Sequence, residues 1–137
     1  MNNLHVFAQE INQLGQTILD NVVKLQKQVA VDVVDYVAGA TPIKTGQASA
    51  NWKTTINAPS SAWDMGATGG PSVSMAEVRS ALAALREGQV VHIVNNVPYI
   101  GELNNGSSTQ APQNFVEVAA MSALQRSQNF NLLTRRS

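Results

Sequence analysis

Residues 4–38 contain no proline and a single glycine, Gly15, and their apolar side chains recur at helical steps. Phe7, Ile11, Leu14, Ile18, Val22, Leu25, Val29, Val33 and Tyr36 follow one another at intervals of three or four residues, the period of one face of an α-helix. Leu14, Leu25 and Tyr36 repeat every eleven residues, so the stripe runs nearly straight and does not wind as a left-handed heptad coil. Gly39 and Pro42 predict the stop. At 1.5 Å per residue such a helix is a rod of roughly 50 Å. A compact domain of this length has a radius of gyration of only about 14 Å. Val31, Val34 and Val37 lie off the stripe, so the C-terminal half of the rod is expected to pack in the domain body. The N-terminal half, with Leu4, Phe7, Ile11, Leu14 and Ile18, is expected to project and to pack against another subunit. The alternative is a helix that folds back at Gly15.

The remaining residues bound the fold class. The chain has 137 residues, enough for one core. Beyond Ala40-Thr-Pro-Ile-Lys-Thr-Gly46, residues 48–58 alternate, with Ala50, Trp52, Thr54, Ile56 and Ala58 on one face, which predicts a half-buried strand. Residues 59–73 are rich in Gly, Pro and Ser and predict a long loop. Ser74-Met-Ala-Glu77 has the form of a capping box, opening a helix over about 75–87. Val90–Val94 is rich in β-branched residues and predicts a second strand. A short helical turn is expected near 98–104, and a last helix over about 112–127. The expected fold is α+β: a long N-terminal helix, a small, mostly antiparallel sheet, and helices packed on one face. Residues 1–127 form the domain, with 59–88 as an inserted loop and helix, and 128–137 form a basic C-terminal tail. Two strands alone make a marginal sheet, so a third is expected from 59–73, from 107–111 or from a neighbouring subunit.

Composition excludes several kinds of chemistry. There is no Cys, so disulfides, thiolate metal sites and Cys nucleophiles are excluded. The two His, His5 and His92, lack any partner at metal-ligand spacing. The Gly66-Ala-Thr-Gly-Gly-Pro stretch lacks the Lys-Ser/Thr of a phosphate loop, and no nucleophile motif is present. No catalytic residue, cofactor or metal is expected, nor a membrane span or signal peptide. Lys and Arg balance Asp and Glu at nine each, which disfavours dedicated nucleic-acid binding. The 13 Asn and 11 Gln outnumber the charged side chains. Such a neutral, amide-rich surface reflects either compositional drift or tolerance of close approach between copies.

Two motifs remain. The first is Pro42-Ile-Lys-Thr45-Gly46-Gln-Ala-Ser-Ala-Asn-Trp52, a turn feeding a strand. The second is Asn96-Val-Pro98-Tyr99-Ile-Gly-Glu102-Leu-Asn-Asn-Gly106, followed by Pro112 and Phe115 at a helix start. In this order, across residues 30–127, they resemble the neck and tail-completion (head–tail joining) proteins of tailed bacteriophages. Ile100 departs from the small residue usual in that family, and 59–88 looks like an insertion. The resemblance implies a structural virion protein of the neck or tail, made in the host cytoplasm. It implies a homomeric ring, six-fold, with the phage connector or adaptor above and the tail terminator or tail tube below. Genomic DNA would pass through the lumen without sequence-specific binding. Pro42, Thr45, Gly46, Trp52, Pro98, Tyr99, Glu102, Gly106, Pro112 and Phe115 are the motif residues. Phe7, Ile11, Leu14, Ile18, Trp63, Phe130, Arg135 and Arg136 are candidate interface residues. Two other readings stay open: a helical adaptor that binds a partner through the stripe, and a small nucleic-acid-binding accessory protein using the Arg-rich tail.

Overall fold

A computed structural model describes residues 3–42, 46–106 and 113–134. The fold is α+β. Among the described residues the chain runs through helix α1 (Asn3–Ala40), strand β1 (Trp52–Ile56), helix α2 (Pro71–Leu82), strand β2 (Val91–Asn95), the short helix α3 (Ile100–Asn104) and helix α4 (Phe115–Ser127). The strands pair antiparallel, Trp52 opposite Asn95 and Ile56 opposite Val91. Trp52, Thr54 and Ile56 thus share a face with Asn95, Ile93 and Val91. Lys53, Thr55, His92 and Val94 take the other.

α1 is one uninterrupted helix of 38 residues, about 57 Å long, and it does not fold back at Gly15. It passes through Gly39 as well. Thr41 makes the stop instead: its N–H and its hydroxyl both donate to the Val37 carbonyl, and Pro42 cannot continue the helix. The C-terminal half supplies Ala30, Val34, Val37 and Ala38 to the core, where they meet Trp52, Val78, Leu82, Leu85, Phe115 and Ala119. α2 and α4 both pack on α1, and α2 also lies against β1. The 59–88 segment therefore contributes core through Val78, Leu82 and Leu85.

Two local expectations are corrected. β1 starts only at Trp52, because residues 47–50 form a turn in which the Ala50 N–H donates to the Gly46 carbonyl at 3.1 Å. Ala48 and Ala50 are buried in that turn, and their apolar alternation mimics a longer strand. Ser74 is not a helix cap: α2 begins at Pro71, with Gly70 at the N-cap. Proline suits that first position, where its missing N–H has no intrahelical partner to lose. The buried Ser74 hydroxyl instead accepts the Trp52 N–H at 3.1 Å and donates to the Ser49 carbonyl at 2.7 Å. It thereby satisfies a backbone donor at the outer edge of β1. No third strand forms among the described residues: 59–70 supplies none, and 107–111 lies outside them. Packing against helices steadies the two-stranded sheet.

Candidate interaction surface

The N-terminal half of α1 leaves the body as an exposed rod. Residues 3–16 are all exposed. Leu4 is 77% accessible, Phe7 58%, Ile11 52% and Leu14 46%, while Ile18 is half-buried. Four large apolar side chains on one face, at steps of three and four residues, face solvent in the single chain. The period and the projection thus agree with the sequence expectation. Asn21, which the apolar period passes over, is only 1% accessible. It stands between Ile18 and Leu25 on the same face, and its amide nitrogen donates to the carbonyls of Leu132 and Thr134, both at 2.7 Å. The C-terminal segment 128–134 therefore lies across the middle of α1, and Phe130 in it is half-buried. Arg135 and Arg136 lie outside the described residues.

Further along α1 an apolar groove of about 420 Å³ opens between Val22, Leu25, Val29 and Val33 on the helix and Val90, Val91 and Ile93 at the second strand. Gln26 bridges this groove by donating to the Gln89 carbonyl at 2.9 Å. A separate apolar face is carried by α4, where Val118, Met121 and Leu124 are exposed.

The two sequence motifs meet in space. The Tyr99 hydroxyl reaches Gln47 Oε1 at 2.8 Å, and the Asn95 amide donates to the Ala48 carbonyl at 2.9 Å. The Pro98-Tyr99 turn is thereby tied to the turn after Gly46. Trp52, buried, donates its indole N–H to Thr41 Oγ1 at 3.0 Å, which locks the strand onto the end of α1. Gly46 has φ +79°, and a Cβ there would lie 2.6 Å from the Thr68 carbonyl oxygen, so only glycine fits this turn. Gly106 also has a positive φ and ends the turn after α3. Phe115 is fully buried at the start of α4. Pro98 and Glu102 are exposed and Pro42 is half-buried. Thr45 and Pro112 lie outside the described residues.

Amide side chains hold the long loop. Asn51 donates to the carbonyls of Gln47 (2.7 Å) and Asp64 (2.9 Å) and accepts the Asp64 N–H (2.7 Å). Asn96 donates to the Ser60 and Ala62 carbonyls, and Gln47 to that of Met65. The chain itself supplies these bonds to the 59–73 loop and leaves Trp63 half-buried. Asn104 acts similarly at α4: its Oδ1 accepts the Val116 N–H at 3.0 Å, replacing a cap that Asn114, in the left-handed region, does not provide. Sequence reasoning missed these roles because side chain and carbonyl are far apart in the chain.

Among the described residues, no three His, Asp or Glu side chains gather where they could hold a metal ion, and no helix is long and apolar enough to cross a membrane. Protein-family models, curated proteins and solved structures contain no match to this chain.

Proposed function

We propose that this chain is a structural virion protein of a tailed bacteriophage. It forms a ring at the neck or the top of the tail, completes the tail, and joins it to the head connector around the DNA path. The observation that carries this reading is the apolar stripe from Leu14 to Leu4, exposed on a helix that outreaches its own body. A stripe of this kind calls for a partner surface. The junction of the two motif segments through Tyr99 and Gln47 supports the resemblance that names the partner as further copies and the neighbouring neck proteins. The six-fold number rests on that resemblance alone. A formal charge of zero suits a lumen through which DNA slides, because a strongly basic wall would hold phosphate.

The test is made on particles. Ile11→Asp combined with Ile18→Asp places two carboxylates on the stripe. Burying them in an interface without partners costs on the order of several kcal/mol. The free chain should remain folded, because Ile11 is exposed and Ile18 only half-buried. Tails should fail to complete or to join heads. Normal infectious particles from the double variant would refute the role of the stripe. A monomer or dimer in imaged particles, in place of a ring, would favour the adaptor reading.

A further inference from the structure

The two edges of the sheet are finished differently. The Asn57 N–H donates to the Val90 carbonyl at 2.7 Å, and the register then sets the phase of the ladder: Thr55 bonds His92, and Lys53 bonds Val94. The backbone groups of Trp52, Thr54 and Ile56 on β1, and of Val91 and Ile93 on β2, therefore point away from the pair. On the β1 side α2 lies against the strand and Ser74 takes the Trp52 N–H. On the β2 side no hydrogen bond among the described residues reaches the N–H or C=O of Val91 or Ile93. The sequence of β2, Val91-His-Ile-Val-Asn95, also contains no Lys, Pro or acidic residue of the kind that blunts an open edge.

Beside this edge lies the open groove. The apolar stripe of α1 runs on past Asn21 through Val22, Leu25, Val29 and Val33 as one wall of it, and Val91 and Ile93 form the other. Among the described residues no charged side chain lines the groove. Gln26 Oε1, buried in the same wall, accepts no hydrogen bond among the described residues. We propose that the β2 edge and this groove form one strand-addition site for an uncharged, extended segment of a partner protein, with Val, Ile or Thr at alternate positions. The partner's backbone bonds Val91 and Ile93 at the ordinary strand spacing of about 4.8 Å. Its alternate side chains then fall on the same face as those of Val91 and Ile93 and fill the groove. The unpaired backbone specifies a strand over a helix, because a helix has spent its own N–H and C=O groups internally. The neutral lining specifies the side chains, because a charge buried there would have no partner. A third strand also extends a sheet that two strands alone leave marginal. The site does not depend on the ring reading, which concerns the exposed N-terminal half of α1.

The experiment uses the full-length chain and the end-blocked peptide Lys-Thr-Val-Thr-Val-Thr-Val-Lys, with hydrogen exchange read at single amides. In the free chain the Val91 and Ile93 N–H groups should exchange at least about tenfold faster than those of His92 and Val94. Saturating peptide should slow Val91 and Ile93 at least about tenfold and leave the other two unchanged. Two variants separate the backbone from the groove. Ile93→Pro removes an outward donor and takes no bond from the β1–β2 ladder. Val29→Lys leaves the edge intact and puts a charge in the groove. Each should raise the dissociation constant at least about tenfold. If Ile93→Pro fails to fold, amide exchange in the parent tests the edge by itself. No binding up to roughly 1 mM peptide, or binding that leaves both amides fast, overturns the site. Val29→Lys that binds like the parent overturns the part given to the groove. Equal binding of a peptide with aspartate in place of each valine overturns the uncharged occupant. Amides of Val91 and Ile93 that slow as the free chain itself is concentrated, with peptide unable to add, place a second copy on the edge and overturn the partner named here.

Discussion

Asn51 is fully buried, and its side chain holds three backbone groups in two segments. Truncation to alanine removes all three bonds and leaves the Asp64 N–H without its side-chain acceptor. Asn51→Ala should cost about 2–3 kcal/mol and should release residues 59–66 to fast hydrogen exchange while α1 stays protected. Asn51→Asp should cost more than alanine, since a carboxylate would face the Gln47 and Asp64 carbonyl oxygens. If urea unfolding ranks the aspartate variant as the milder, the amide is not the clamp described above. Gly46→Ala should cost about 2–3 kcal/mol, from a strained backbone and a collision with the Thr68 carbonyl; thermal melts measure it. The abundance of amides is visible in the sequence, but their use is not. Asn21 and Leu132, or Asn96 and Ser60, are neighbours only once the chain has folded.

α1 was legible because its period persists over nine apolar positions without a proline, and little else accommodates such a pattern. The strand pair was legible from β-branched and alternating residues, though β1 was read four residues too early, where a buried turn copies the alternation. α2 was misplaced for a definite reason. Ser74 and Glu77 carry the capping-box spacing, but Gly70-Pro71 starts the helix a turn earlier, and the serine is spent on the edge of the sheet. Ser74→Ala should therefore cost about 2 kcal/mol or more through the orphaned Trp52 N–H. An exposed cap would cost nearer 1 kcal/mol. An unfolding experiment that finds no loss would count against the edge role. Phe115, by contrast, stands in the helix-opening motif and is wholly enclosed. Phe115→Ala should cost about 3–5 kcal/mol, measured in the same titration.

A closed ring of more than two copies needs two different surfaces on each protomer, one for each neighbour. The projecting stripe of α1 is one apolar surface, and the outer face of α4, with Val118, Met121 and Leu124, is another. Under the ring reading, Met121→Asp with Leu124→Asp should block assembly as the Ile11 and Ile18 substitutions do. Mixing the two defective proteins should yield heterodimers and nothing larger, because each retains one sound surface. Sedimentation of the mixture checks this; rings from the mixture would exclude α4 as the second face. The single chain cannot announce such a pairing, since its apolar residues are equally consistent with any partner of helical period. Another property follows from how the loops are tied. The clamps of Asn21, Asn51, Asn95 and Asn96 consist of amide and carbonyl atoms alone. Such atoms do not titrate, and they gather no counter-ions for salt to screen. The turns that carry the motifs should thus keep their shape from about pH 5 to 8 and up to about 1 M salt, a geometric constancy that, under the ring reading, suits a part that cannot be rebuilt once it is in place.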